Sequence, residues 1–207
     1  MLTIWGRTNS SNVMKVMWGV GELGLAHQRI DAGGSFGGLD TPEFLAMNPN
    51  GLVPVIREED GFCLWESNAI LRYLARKYPD KGLAPSDLRA FADMDRWMEW
   101  QTESLAGPCF TVFAQMHRIP VEKRDAAVIA KAIEETAEHF AMLVPTLSKS
   151  PFLVSDSITM ADVAVGVMAY RWFEMAIERP AMPVVEAWYA RLKTRPAFQT
   201  HINLGLS

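Results

Sequence analysis

A chain of 207 residues, 49% hydrophobic and 21% charged, is long enough for two small domains and apolar enough to bury a core without covalent staples. A formal net charge of -4 removes the electrostatic footprint expected of a binder of nucleic acid or of an anionic membrane. Cys63 and Cys109 fit neither a CxxC nor a zinc-type spacing, and no apolar run reaches the roughly 18 residues of a membrane span. No disulfide framework, metal or membrane segment is therefore expected, and a reducing, cytoplasmic setting is.

In chain order, Leu2 to Trp5 predicts a short strand that "GRTNSSN" stops. Val13 to Leu25 predicts a helix with Lys15 and Glu22 as its only charges, a pattern that buries it on most sides. "HQRIDA" reads as a second strand and "GGSFGG" as a loop, one that lacks the G-K-[ST] ending of a phosphate cradle. Asp40-Thr41-Pro42-Glu43 predicts a helix start with an acidic cap and a proline in the first turn, and "MNPNG" ends that helix. Val53 to Arg57 and Phe62 to Trp65 flank "EEDG", a hairpin signal, after which Ser67 to Tyr78 has apolar residues at 70, 71, 74, 75 and 78.

Past "YPDKGLAP" no strand pattern competes with helical periodicity. The expected division is residues 1–79, a linker at 80–86, and an all-helical unit at 87–207. Helices are predicted over about 87–117, 121–148, 159–178 and 183–194, with a short terminal one. In "SITMADVAVG", Thr159 and Asp162 have the spacing of a capping box.

A βαβ unit followed by a ββα unit is the thioredoxin-like arrangement. The expected fold class is an α/β N-terminal thioredoxin-like domain plus an all-α C-terminal helical domain. In that arrangement the proline opening the third strand is usually cis, so Val53, before Pro54, would turn its N–H and C=O toward an extended peptide. A trans proline at a sheet edge is the plainer alternative. At the next helix start, Ser67 offers a hydroxyl and an amide to a carboxylate, and Glu66 accepts from a neighbouring ammonium. Together they suit the zwitterionic head of an amino acid, although simple capping by Ser67 explains the same residues.

"LVPVIREEDGFCLWESNAILRYLARKYP", "RTNSSNVMKVMWGVGELGL" and "SITMADVAVG" resemble the cytosolic glutathione S-transferase family along the whole chain. The resemblance implies glutathione as the peptide and cosubstrate, paired to Val53 at its cysteinyl backbone and held at Glu66 and Ser67 by its γ-glutamyl end. It also implies a homodimer, a detoxifying role and a hydrophobic site beside the thiol. "TNSSNV" holds neither tyrosine nor cysteine, which points to serine- or asparagine-using bacterial, theta-, zeta- or nu-like members. Ser10 with Asn12 is the favoured thiol-side pair and Ser11 the alternative. Leu52 departs from the basic residue that many members place near the glycine carboxylate, and Asn12 departs from the zeta signature.

For the second site, Phe110 and Phe113 share a helical stripe with His117, and Trp172 can face them from a later helix, although such stripes more often belong to a core. His117 alone, without a carboxylate or second ligand at hand, reads as a surface or capping residue. The expected activity is transfer of glutathione to a small hydrophobic electrophile, or a related glutathione-dependent disulfide or peroxide reduction. A non-enzymatic interaction module on the same fold is the rival reading.

Overall fold

The computed structural model describes residues 1–206. Its first part runs β1 (Leu2–Trp5), α1 (Ser11–Leu23), β2 (His27–Ile30), α2 (Pro42–Met47), β3 (Val55–Arg57), β4 (Cys63–Trp65) and α3 (Ser67–Lys77). The four strands lie in the order β2-β1-β3-β4. β1 pairs parallel with β2, Ile4 opposite Arg29, and antiparallel with β3, Ile4 opposite Ile56. β4 pairs antiparallel with β3. This is a thioredoxin-like mixed sheet.

The second part is helical: α4 (Leu88–Trp100), α5 (Ala106–His117), α6 (Ala126–Ala141), α7 (Val144–Leu147), α8 (Met160–Glu174), α9 (Pro183–Lys193) and α10 (Pro196–His201). The single helix expected over 87–117 is divided by one π turn, Gln101–Leu105. Pro108 follows closely and has no N–H with which to continue a regular ladder back to Ser104. The helix expected over 121–148 is also divided. Asp125 caps α6 by accepting from Ala127 and Val128 N–H at 2.9 and 3.1 Å, which leaves 121–123 as a separate 3-10 turn. At α2 the cap is Thr41, whose Oγ1 accepts from Phe44 N–H at 3.2 Å, not the acidic Asp40.

α1 is the centre of the molecule. Its Val13, Val16, Trp18, Val20 and Leu23 are fully buried, in one core that includes Ile4 and Ile56 of the sheet and Trp172 and Phe198 of the helices. Gly166 of α8 lets the two helices touch: a Cβ there would lie 2.8 Å from the Trp18 ring. At the other end of α1, Glu22 accepts a fork from Arg195 at 2.7 and 2.7 Å and a bond from Trp18 Nε1 at 2.8 Å. The sheet unit and the helical unit are thus clasped through one amphipathic element. Its polar N-terminal turn is left facing a cleft.

Candidate active site

Two helix N-termini meet in that cleft. The Val53–Pro54 bond is cis. The β3 ladder begins only at Val55, opposite Trp5, so the Val53 peptide groups lie outside it. Glu66 caps α3 backbone-first, with φ of 69°, the single positive φ among non-glycine residues described. Ser67 is therefore the first residue of α3 and not its cap. It is 4% exposed, and its Oγ donates to Asn12 Oδ1 at 3.3 Å, which joins the first turns of α3 and α1. Partial positive charge from both helix ends converges here, the setting in which an anion is favoured.

The three thiol-side candidates differ in their engagements. Asn12 is occupied by Ser67. Ser11 Oγ accepts from Arg171 Nε at 3.2 Å, and Arg171 Nη2 also donates to the Asn9 carbonyl at 2.7 Å. Ser10 is the N-cap of α1, in extended conformation; its carbonyl accepts the first helical bond from Met14 at 2.8 Å, while its hydroxyl makes no capping bond. The Ser10 side chain lines a cleft of about 290 Å³ with Val53, Leu52, Arg7, Phe110 and Arg118.

Under the cleft lies a buried polar cluster that joins both units. Lys15 Nζ donates to Asn68 Oδ1 at 3.1 Å and Gln101 Oε1 at 3.0 Å, and Asn68 Nδ2 donates to the Met98 carbonyl at 2.8 Å and Thr102 Oγ1 at 3.0 Å. Burial lowers the Lys15 pKa from its ordinary value to about 7. The π turn brings Gln101 to this cluster.

A second, smaller cavity of about 200 Å³ opens beside Ser11, walled by Gln101, Cys109, Phe110, Phe113, Met168 and Arg171. Phe110 is 51% exposed at its mouth. Phe113 is buried and stacks on His117 at 5.1 Å. Trp172 does not line the cavity. It is fully buried and stacks on Phe140 at 5.9 Å, because one residue along α8 turns a side chain by about 100° and sends 172 toward α6 while 171 reaches the cavity. The Cys109 thiol is pushed up to about 12 by burial, which keeps it protonated and unsuited to nucleophilic work. Burial first, then the nearby Arg171 and Arg124 charges, lower the pKa of His117. Among the described residues no group of three His, Cys, Asp or Glu is placed to hold a metal ion, and no helix is long and apolar enough to cross a membrane.

Arg171 and Lys15 enter the site without a sequence motif of their own. Each leaves the same trace, a solitary cation inside an apolar helix. Such a trace shows that the residue has a buried partner but not which one.

A mixed sheet whose cis-proline corner faces two helix N-termini, roofed by an aromatic helix from a second unit, defines a thiol-peptide-binding architecture. Comparison with known proteins gives the particular family. Residues 1–76 match the glutathione S-transferase N-terminal domain and residues 103–196 its C-terminal domain. Glutathione S-transferase GstB of Escherichia coli (strain K12) is 36% identical over 208 residues, covering 100% of both chains. Glutathione S-transferase 3 of Zea mays is 30% identical over 96% of this chain and 91% of its own length. Among solved structures, the glutathione-bound theta class enzyme of Xanthomonas axonopodis pv. citri superposes with a TM-score of 0.94 at 45% identity, covering 100% of this chain and 99% of that one. The chain belongs to the glutathione S-transferase family.

Proposed function

We propose that the protein binds glutathione along the cis-proline corner and conjugates its sulfur to a small electrophile. Val53 pairs with the cysteinyl backbone through peptide groups free of the ladder. Glu66 and Ser67 hold the γ-glutamyl end at the start of α3. Pro54 fixes the corner that presents Val53. The observation that carries this reading is the unengaged Ser10 hydroxyl at the N-terminus of α1, on the same cleft as Val53. Ser10 donates to the sulfur and, with the helix end, favours the thiolate over the thiol. Asn12 fixes Ser67, and Ser11 is held by Arg171, so both shape the cleft without touching the sulfur. The same thiolate serves a disulfide or peroxide reduction.

The chain divides at 1–79, 80–86 and 87–207. It acts in the cytoplasm. It pairs as a homodimer, a state consistent with the exposed Leu88 and Phe62 side chains and checked by light scattering.

The test is an absorbance titration of the thiolate of bound glutathione in wild type, Ser10→Ala, Ser11→Ala and Asn12→Ala. Wild type brings the thiol below its free value of about 8.5. Ser10→Ala raises it by about one to two units, the worth of a hydrogen bond to a charged group, with glutathione affinity largely kept. A curve moved only by Ser11→Ala or Asn12→Ala transfers the role to that residue. Absence of glutathione binding by calorimetry at millimolar concentration ends the reading altogether.

A further inference from the structure

The second cavity is chemically mixed. Its walls of Cys109, Phe113 and Met168 are apolar, yet Arg171 is set into them, 3% exposed, with its guanidinium centred 3.9 Å over the Phe113 ring. Two of its nitrogens are spent on Ser11 and Asn9. Nη1 has no protein partner among the described residues, and no carboxylate among them lies within ion-pair distance of the group. A buried cation without a counter-ion is costly to keep, and apolar walls raise that cost.

The surroundings increase the deficit. The charged and titratable groups around Arg171 are Tyr170 on its own helix, Cys109 and His117 on α5, Arg118 just past α5, and Arg7 on the β1–α1 connection. Cys109 stays neutral. Arg7 and Arg118 are cations, and both line the adjoining glutathione cleft. The linings of the two adjoining cavities therefore carry three guanidiniums and no Asp or Glu.

We propose that the second cavity selects an electrophile bearing a carboxylate, which Arg171 binds through its free Nη1 edge. This deepens the glutathione-transferase reading and rests on it. It also changes the character of the pocket from the purely hydrophobic one expected from Phe110, Phe113 and Trp172. A guanidinium suits the task because its rigid fork matches a carboxylate and it cannot escape by losing its proton. The stacked Phe113 holds its plane in position.

The experiment uses product-like ligands, so that it needs no catalysis. Calorimetry compares S-(carboxymethyl)glutathione with its isosteric amide, S-(carbamoylmethyl)glutathione, and the pair one methylene longer, with glutathione itself as reference. Wild type is expected to prefer the acid over the amide by at least about tenfold in one pair, as a hydrogen bond to a charged group implies. Arg171→Gln should abolish the preference, leaving acid and amide within about threefold of each other, and Arg118→Gln, on the surface, should reduce it in part while leaving the Arg171 contacts in place. A tie in both pairs for wild type overturns the proposal. A preference that survives in Arg171→Gln overturns the assignment to that residue. Failure to bind glutathione at all is the separate failure of the underlying reading.

Discussion

Glu66 occupies a backbone region that L side chains avoid, at a cost on the order of 1–3 kcal/mol, and it does so where α3 points its first N–H groups into the cleft. A glycine there takes the same φ without strain. Glu66→Gly is therefore expected to raise stability by about 1 kcal/mol while weakening glutathione binding, measured by denaturant midpoint and calorimetry on the same preparation. Gain of neither stability nor loss of affinity would show the conformation to be incidental. Lys15 gives a second expectation. Its pKa is about 7 in the folded chain, below the ordinary 10.5, so between those values the unfolded chain binds a proton that the folded one does not. Stability then rises with pH across that window. From pH 7 to pH 9 wild type should gain about 1–3 kcal/mol more than Lys15→Met, in chemical denaturation at the two pH values. Equal gains would remove Lys15 as the source.

Among the elements, α8 begins with the most densely bonded cap. Asp162, fully buried, accepts from Leu153 N–H at 3.0 Å, Thr159 N–H at 2.9 Å, Thr159 Oγ1 at 3.1 Å and Trp188 Nε1 at 3.0 Å. Thr159→Ala removes one of those four donors and is expected to cost about 0.5–2 kcal/mol with glutathione affinity unchanged. An unmoved denaturation midpoint would count against it. This cap was legible in "SITMADVAVG" because both partners fall within three residues. The hairpin at Asp60-Gly61 and the proline at 54 were legible for the same reason: turn chemistry is local. At Gln101–Leu105 the local signal, Pro108, marks a disturbed helix but not the π turn itself, since Gln101 there bonds Lys15, 86 residues away. Trp172 shows the converse limit. Periodicity marks a residue as apolar-facing, but only the neighbouring helices decide whether that face meets a cavity or the core. Arg171 escaped for want of any local partner, Ser11 being 160 positions distant.

For the whole molecule, these long-range clasps tie the sheet unit to the helices. Trp18, Glu22 and Arg195 bind one end of α1 while Arg171 binds the other, and the core runs unbroken between them. Unfolding is expected as a single transition in which tryptophan fluorescence and glutathione binding are lost together. On refolding, glutathione binding should return no earlier than the burial of Trp18, checked by stopped-flow fluorescence with and without the ligand. An early phase competent for binding would separate the units. The clasp also orders events during synthesis. Ser10 and Ser11 leave the ribosome near the start and Arg171 and Arg195 near the end, so a nascent chain carries the Ser10 hydroxyl on a helix with one flank still bare. Until the C-terminal helices arrive, the apolar side chains of that flank lack the cover they have in the finished core, and the cleft beside Ser10 lacks its helical wall.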